Sequence, residues 1–219
     1  MPDHENPVPP DGPRLVPPDG PRLTQQQRRA ATEQRLLDAA VRLIASSGSS
    51  AVSLADIGRA AGYSRGIVTH QFGTRDEMLR QVAQYGQQTF VPPESDARGL
   101  ERLLVLMDAY LAYVEGQPPA GRAFLLMWGE AAAAHSRLRL VFAERDALFC
   151  ELLRSCVDEG MQEGSVRADV NPEAAATAIM GQLRGLGLKL MLDPGASSAE
   201  TIRHETVEMT RRALEVRGR

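Results

Sequence analysis

The chain has 219 residues, of which 43% are hydrophobic, and carries a formal net charge of −3 with a pI near 5.9. This composition supports one large or two modest domains with hydrophobic cores, and two fit better. The net negative charge argues against a protein whose whole surface binds nucleic acid. The two cysteines, Cys150 and Cys156, fall on one predicted helix and cannot face each other in a disulfide. No apolar run reaches about 18 residues and no signal sequence is present, so we expect a cytoplasmic protein without a membrane span.

Residues 1–23 contain the direct repeat VPPDGPRL and are too rich in Pro and Gly to pack. We expect a disordered tail. Its Arg14 and Arg22 could form an arm that reaches DNA, but four acidic residues in the tail outnumber them. A dispensable extension is therefore the simpler interpretation.

The first predicted helix runs from about Thr32 to Ser47 and ends at Gly48. Its apolar residues recur at helical spacing and form one buried stripe. We expect this helix to brace the short helices that follow it.

Two short helices meet at a tight turn between Ser53 and Phe72. Ser53 has the position of an N-cap for the first of them. Gly62 lies just past its last apolar residue, where a left-handed conformation ends a helix, and Ser64 can cap the second. A turn this short fixes the angle between two helices, which is typical of a DNA-binding helix-turn-helix.

The second of these helices has an apolar side, formed by Val68 and Phe72, and an outer side with nothing in the sequence to pack on. Short polar, imidazole, amide and guanidinium groups occupy the outer side and its margins, and such groups can bond phosphates and base edges. Gly66 would let the backbone approach a phosphate. The pattern therefore predicts a helix that enters a DNA groove.

A third helix should begin after Thr74, because Thr74 and Glu77 have the spacing of a capping box. Arg75 then falls in the first turn, where a cation is unfavourable beside the helix dipole. An arginine in that position is suited to binding a DNA phosphate.

The run Ser53–Leu79 resembles the DNA-binding domain of the tetracycline repressor (TetR) family, whose usual pattern is a Ser or Thr, then D-I-A-x-x-A-G-V-S-x-G-x-x-Y-x-x-F, then S-K-x-x-L. The usual aromatic phosphate contact falls on Thr69 here, so His70 could take over that contact. The resemblance implies a double-stranded DNA operator as partner. The expected DNA-binding residues are Ser53, Ser64, Arg65, Gly66, Ile67, Thr69, His70, Gln71 and Arg75.

The charge distribution agrees with DNA contact at one end of the molecule. Residues 24–86 contain eight arginines and five acidic residues, a net charge of +3, so the remainder of the chain sums to −6. A basic head on an acidic body is the electrostatic pattern of a protein that binds DNA through its head alone.

From residue 98 onward the sequence consists of helical stripes separated by Gly and Pro. Asn171 followed by Pro172 opens one long helix, and Ser197 with Glu200 forms a capping box for the last. The predicted fold is all-α, with a three-helix helix-turn-helix domain followed by a helical ligand-binding and dimerisation domain. The expected units are a disordered tail (1–23), the DNA-binding domain (24–73), a connecting helix and linker (74–96) and the body (97–219).

The long helix after Pro172 contains three glycines, each costing about 1 kcal/mol of helix stability relative to Ala. Gly181 and Gly185 lie one turn apart and make a flat strip on which another helix can pack closely. TetR-like proteins dimerise through their last two long helices, so the resemblance implies a homodimer. The expected interface is Gly181, Gly185, Leu188, Ile202 and Met209; packing of the glycines inside one chain is the alternative.

The resemblance also implies a small-molecule effector bound within the helices after the DNA-binding head. Met and aromatic residues favour an apolar or aromatic effector, although such residues at helical spacing are more often plain core. Glu130 and His135 are polar options. The candidate ligand-binding residues are Met107, Tyr110, Phe124, Met127, Trp128 and Phe142, with Tyr113 and Phe149 as further candidates.

No motif of a catalytic, metal or cofactor site is found: the sequence lacks a phosphate loop, H-E-x-x-H, C-x-x-C and G-x-S-x-G. We therefore expect no enzyme activity, no cofactor and no metal. Two hypotheses remain. The first is a ligand-responsive transcriptional regulator, a repressor by resemblance, that a small molecule releases from a palindromic operator. The alternative is a helical carrier or interaction protein with a vestigial DNA head.

Overall fold

The computed structural model describes residues 24–133, 136–193 and 199–216. The predicted tail, His135 and the predicted cap Ser197 lie outside these residues. The described residues contain nine α-helices and one isolated antiparallel bridge, between Val166 and Glu215. None of these helices has the length and hydropathy needed to cross a bilayer. The all-α prediction is confirmed.

Three helices form the head: α1 (Gln25–Ser47), α2 (Leu54–Ala61) and α3 (Arg65–Phe72). α1 begins at Gln25, earlier than the predicted start near Thr32. The reason is local, because Thr24 and Gln27 form a capping box at its N-terminus.

The turn between α2 and α3 has the predicted construction. Ser53 and Asp56 form a capping box at α2, Gly62 adopts the left-handed conformation (φ 77°, ψ 27°), and the Ser64 hydroxyl accepts a hydrogen bond from the Ile67 amide. Val68 on α3 is fully buried on the core of the head. The outer face of α3 is thereby held at a fixed angle to the core.

In the described part of the chain the head is followed by six further helices: α4 (Arg75–Gln88), α5 (Gly99–Glu115), α6 (Pro119–Ala131), α7 (Arg139–Glu163), α8 (Pro172–Leu192) and α9 (Ala199–Leu214). α4 leaves the head and packs on α6, which also packs on α1 and α8. α5 packs on α7, α8 and α9. The α6 helix therefore contacts both the head and the interior of the body.

Gly86 and Gly160 lie at places where the absence of a side chain allows a close approach to a neighbouring segment. A Cβ at Gly86 of α4 would lie 2.9 Å from the Cβ of Phe124 and 3.0 Å from the carbonyl oxygen of Ala120 on α6. A Cβ at Gly160 of α7 would lie 2.6 Å from a methyl of Val166 and 3.0 Å from the amide nitrogen of Leu100. Larger side chains would separate the helices at both places.

Gly160→Ala should lower the free energy of unfolding by about 1–3 kcal/mol, because the added methyl meets a backbone nitrogen that cannot move aside. Gly129→Ala is the matched control: Gly129 is an exposed helical glycine, and no heavy atom lies within 4 Å of the place its added methyl would take. Gly129→Ala should raise the free energy of unfolding by up to about 1 kcal/mol, because Ala has a higher helix propensity than Gly. Urea unfolding measures both, and equal stabilisation by the two substitutions would contradict the close approach at Gly160.

Candidate functional site

The outer face of α3 is exposed along its length. Arg65, Thr69 and His70 are exposed, Ile67 is 43% exposed, and Gln71 is half-buried at the margin. The side chains of Arg65, Thr69 and His70 form no hydrogen bond or ion pair with any described residue. The face thus presents donors, an amide and an apolar side chain that are free to meet another molecule.

The two predicted serines have structural tasks at the ends of this face. The Ser53 hydroxyl donates to Asp56 Oδ2 (2.5 Å) and accepts from the Asp56 amide (3.3 Å). Hydrogen bonds from Ser53 lower the pKa of the Asp56 carboxyl, and Arg59 contributes to the same shift. The Ser53 proton is therefore engaged within the protein, whereas among the described residues the Ser64 hydroxyl acts only as an acceptor, for the Ile67 amide of α3.

Arg75 forms its hydrogen bonds within the protein, which differs from the expected phosphate contact. Its Nε donates to the carbonyl oxygen of Val52 (3.1 Å) and its Nη2 donates to the carbonyl oxygen of Ser49. The guanidinium thereby ties the start of α4 to the loop between α1 and α2. These carbonyls satisfy the cation locally, so its position in the first turn needs no DNA phosphate.

The α1–α2 loop is also bonded to the body. The Ser49 amide donates to Glu130 Oε1 (2.9 Å) and the Ser49 hydroxyl donates to the other carboxylate oxygen. Ser49 is only 4% exposed and Glu130 is half-buried, so both bonds are partly shielded from water. Arg137 also forms an ion pair with Asp76 in the first turn of α4 (2.6 Å). Glu130, a polar candidate for ligand binding, instead joins α6 to the head.

A small cavity of about 50 Å³ lies where α4, α5, α6, α7 and α8 meet. Its lining residues are Gly86, Gln87, Phe90, Tyr110, Tyr113, Val114, Gly121, Phe124, Leu125, Phe149 and Arg184. A larger depression of about 570 Å³ lies at the linker around Pro92–Arg98, but exposed charged side chains line it. The small cavity has the aromatic walls typical of a small-molecule site.

Of the six predicted ligand-binding residues, only Tyr110 and Phe124 line this cavity; Met107, Met127, Trp128 and Phe142 do not. Met107 and Met127 are fully buried core residues. Phe142 packs edge-on against the outer side of Phe124 (5.0 Å between ring centroids), and Trp128 donates its indole N–H to Asp146 (2.6 Å). Helical spacing marks all six as inward-facing, but it does not show which of them border an unfilled volume.

The cavity contains a buried arginine that the sequence patterns did not single out. Arg184 is 5% exposed, donates from Nη1 to the Tyr110 hydroxyl (2.6 Å) and contacts Asp146 from Nη2 (3.3 Å). Its Cζ lies 4.7 Å from the ring centroid of Phe124, 5.5 Å from that of Tyr110 and 5.7 Å from that of Phe149. The sequence does contain a signal for this site, because Arg184 is a charged residue between Leu183 and Gly187 on the apolar side of α8.

Burial shapes the ionisation of the groups around this arginine. Burial raises the pKa of Tyr110, although the Arg184 charge opposes the shift, so its phenol keeps its proton at neutral pH. Burial also lowers the pKa of Arg145, which donates from Nη1 to Gln87 at the cavity wall. The Nε atoms of Arg184 and Arg145 are both buried without a hydrogen-bond partner among the described residues.

The expected dimer strip on α8 is exposed. A Cβ at Gly181 or Gly185 would have no heavy atom within 4 Å, so neither glycine packs inside the described chain. Met209 on α9 is 57% exposed, whereas Leu188 and Ile202 are half-buried. Gly187 differs, since its Cβ would lie 2.8 Å from Leu125 in the core. Within the described residues, the strip is thus an unpartnered surface of one chain.

Two family models match the chain. The model described as bacterial regulatory proteins, tetR family, matches residues 36–82, and the model described as tetracyclin repressor-like, C-terminal domain, matches residues 99–205. The chain belongs to the tetR family. It is therefore a DNA-binding transcriptional regulator of a ligand-responsive kind, and the first match includes α2, α3 and the exposed face described above.

Known proteins agree with this assignment. The chain is 25% identical over 173 residues to the HTH-type transcriptional regulator AcrR of Shigella flexneri, covering 74% of this chain and 79% of AcrR.

Two solved structures share the fold at lower identity. AibR, determined in complex with isovaleryl coenzyme A and operator DNA, has a TM-score of 0.68 at 21% identity, covering 81% of this chain and 97% of AibR. A protein from Saccharomonospora viridis, determined in complex with choline, has a TM-score of 0.72 at 19% identity, covering 86% of this chain and 100% of that protein.

The position of Arg75 in this tetR-family regulator leads to a testable difference from Arg65. Each is the first residue of its helix, but Arg75 is bonded to the α1–α2 loop, whereas Arg65 has no such bond within the described residues. Arg75→Ala should lower the free energy of unfolding by about 1–3 kcal/mol, because two shielded carbonyls lose their donors. The salt dependence of operator binding should remain unchanged.

Arg65→Ala is the matched control and should show the opposite pattern, with unchanged stability and a changed salt dependence. It should leave the stability within about 0.5 kcal/mol of the wild type and reduce the slope of log K against log salt by about 0.9, one phosphate contact. Thermal unfolding and operator binding over a salt series measure both effects. A smaller salt slope with unchanged stability in Arg75→Ala would restore its predicted role at the phosphate.

Proposed function

We propose that this regulator is a cytoplasmic homodimeric repressor that binds a palindromic operator through α3 and releases it when a small molecule fills the aromatic cavity. The observation that carries the proposal is the contact of the cavity with α4 and α6. Gly86 and Gln87 come from the C-terminal end of α4 and Phe90 follows just after it, and the N-terminal end of α4 is bonded to the head through Arg75. A ligand that displaces the end of α4 therefore acts on the helix that fixes the head.

The α6 helix supplies a second connection. Phe124 lines the cavity on α6, and Glu130 on the same helix holds Ser49 in the α1–α2 loop. One rigid helix thus links the cavity wall with the loop that precedes α2. Because both connections end at the same loop, a shift of α4 relative to α6 alters the orientation of the head.

Contact with DNA is supported by the free donors on α3 and by the basic charge of the head. Two copies of the head are needed to read two half-sites, and the exposed glycine strip on α8 offers a self-complementary surface for a two-fold interface. Related folds contain choline in one case and isovaleryl coenzyme A in another, so the fold does not decide the charge of the effector.

Separating α4 from α6 without a ligand tests this function. Gly86→Ala places a methyl 2.9 Å from the Cβ of Phe124 and should push the helices apart, mimicking a filled cavity. Operator affinity should fall by about 5-fold or more, the usual lower range of allosteric coupling. The operator is first obtained by selecting bound DNA from random sequences, and fluorescence anisotropy then measures affinity.

Gln84→Ala on the exposed side of α4 is the matched control and should bind operator like the wild type. Circular dichroism melting confirms that both variants are folded at the assay temperature. If folded Gly86→Ala keeps wild-type affinity, the contact between α4 and α6 does not control the head. If no DNA is selected at any salt concentration, the carrier hypothesis replaces the regulator.

The dimer interface has its own test. Gly185→Leu should convert the protein to a monomer in sedimentation experiments, because a large side chain prevents close packing of two α8 helices. Gly129→Leu makes the same change at an exposed glycine of α6 and should leave a dimer. A dimeric Gly185→Leu variant would place the interface elsewhere.

A further inference from the structure

The charge on the cavity wall is unbalanced. Among the described residues that line the cavity, Arg184 is the single formally charged one, and none is a carboxylate. The other polar groups are the hydroxyls of Tyr110 and Tyr113 and the amide of Gln87. A ligand entering this space therefore meets one fixed positive charge with apolar and aromatic surroundings.

Arg184 retains hydrogen-bonding capacity toward a ligand. Its Nη1 and Nη2 have partners in Tyr110 and Asp146, but its Nε is buried without one in the described part of the chain. Asp146 only partly compensates the charge: it is 3.3 Å away, accepts the Trp128 indole N–H with its other oxygen and has a side chain that is 25% exposed. A ligand with an acceptor group can satisfy a donor that no described residue satisfies.

The aromatic rings make a cationic ligand unfavourable. The faces of Phe124, Tyr110 and Phe149 surround the guanidinium at 4.7–5.7 Å, the range in which rings attract a cation. Arg184 therefore already occupies the cation position of this aromatic cage. A cationic effector would have to approach a like charge in a poorly solvated space.

A further donor lies beside the guanidinium. The Tyr110 oxygen accepts the hydrogen bond from Arg184, which leaves the phenol proton available to an acceptor in the cavity. Arg145 does not line the cavity, but it donates to Gln87, which does, and it makes no ion pair within the described residues. An acceptor in the cavity therefore has donors in both Arg184 and Tyr110.

The cavity volume indicates which part of a ligand fits here. About 50 Å³ exceeds the roughly 10–15 Å³ of cavity volume that one water molecule needs, so the space as it stands accepts a small group such as a carboxylate. Phe90, which is half-buried just after α4, is the side chain that an attached apolar portion would displace. Filling the cavity would therefore also move the end of the helix that leads to the head.

We propose that the effector is a small organic carboxylate with an apolar or aromatic tail, and that its carboxylate binds the guanidinium of Arg184 while the tail displaces Phe90. The proposal rests on the proposed function only in taking this cavity as the effector site. The carboxylate would accept hydrogen bonds from Arg184 and Tyr110, and it would share the guanidinium with Asp146, which contacts it at 3.3 Å.

Three sets of small molecules test the proposal. Within each set the members share one tail and differ only in the end group, which is a carboxylate, an amide or an amine. The probes are propionate, isovalerate and phenylacetate, each with its primary amide and its matching primary amine. Trp128 is the only tryptophan, and its bond to Asp146 places its fluorescence next to the site. Titrations without DNA, followed by this fluorescence and by calorimetry, should show at least one carboxylate binding about tenfold or more tightly than its amide, a difference of about 1.4 kcal/mol.

Variants assign that preference to the guanidinium. Asp146→Asn removes the competing carboxylate and should increase affinity for the carboxylate probe while leaving the affinity for its amide unchanged. Arg184→Met/Asp146→Asn removes both charges together, so neither is left buried alone, and should bind acid and amide equally. Arg203→Met is the control, because Arg203 pairs with Asp108 and does not line the cavity; it should keep the preference for the acid.

The proposal is overturned if no carboxylate probe binds at millimolar concentration, if an amide or amine binds as tightly as its acid, or if Asp146→Asn leaves carboxylate affinity unchanged. An operator-binding assay separates it from the proposed function. Carboxylate binding that depends on Arg184 but does not release DNA supports this inference and contradicts the regulatory role of the cavity. If an amine releases DNA and this release does not depend on Arg184, the result supports the regulatory role of the cavity and overturns the proposal that the effector is a carboxylate.

Discussion

The close contact between α4 and α6 is the constraint on which the arrangement of head and body depends. At Gly86 the helices lie so close that an added Cβ would be 2.9 Å from the Phe124 Cβ and 3.0 Å from the Ala120 carbonyl oxygen. The same two helices hold the α1–α2 loop, α4 through Arg75 and α6 through Glu130. Packed helices slide between discrete arrangements more readily than they deform, so under the proposed function a change at this contact moves the head as a unit.

The hydrogen bonds at Ser49 make this connection specific. Its amide and hydroxyl donate to Glu130, while its carbonyl accepts from Arg75. A half-buried carboxylate from the body and a half-buried guanidinium from α4 therefore meet at one buried residue of the head. Charge-assisted bonds in such surroundings are stronger than exposed ion pairs such as Arg59 with Asp56. The head is consequently joined to the body by more than a flexible linker.

Burying Arg184 costs desolvation free energy that an apolar side chain at the same position would not cost. Taking a guanidinium out of water is unfavourable unless its charge is paired and its donors are bonded, and one donor of Arg184 has no partner among the described residues. Asp146, Tyr110 and three aromatic rings compensate part of this cost. On the same helix, Gly181 and Gly185 face outward, and no described atom lies above them. α8 therefore has one face directed at the cavity and another available to a second copy of the chain.

Most of the local structure followed from short-range patterns in the sequence. Ser53, Gly62 and Ser64 fixed the helix-turn-helix because caps and a left-handed glycine act within a few residues of themselves. Burial of Val68 and exposure of Thr69 followed from the helical period. The early start of α1 at Gln25 was missed, although Thr24 and Gln27 carry a local capping signal that could have placed it.

Only the tertiary structure decided where long side chains point and where space is left unfilled. The first-turn position of Arg75 is equally compatible with a DNA phosphate and with the carbonyls of Ser49 and Val52, and the folded loop selects the carbonyls. Met107 and Tyr110 share one helical stripe, yet only Tyr110 borders the cavity. The sequence by itself determined the helices, their caps and their buried faces, because these depend on near neighbours along the chain. The cavity and the environment of Arg184 depend on how five helices meet, which no local pattern encodes.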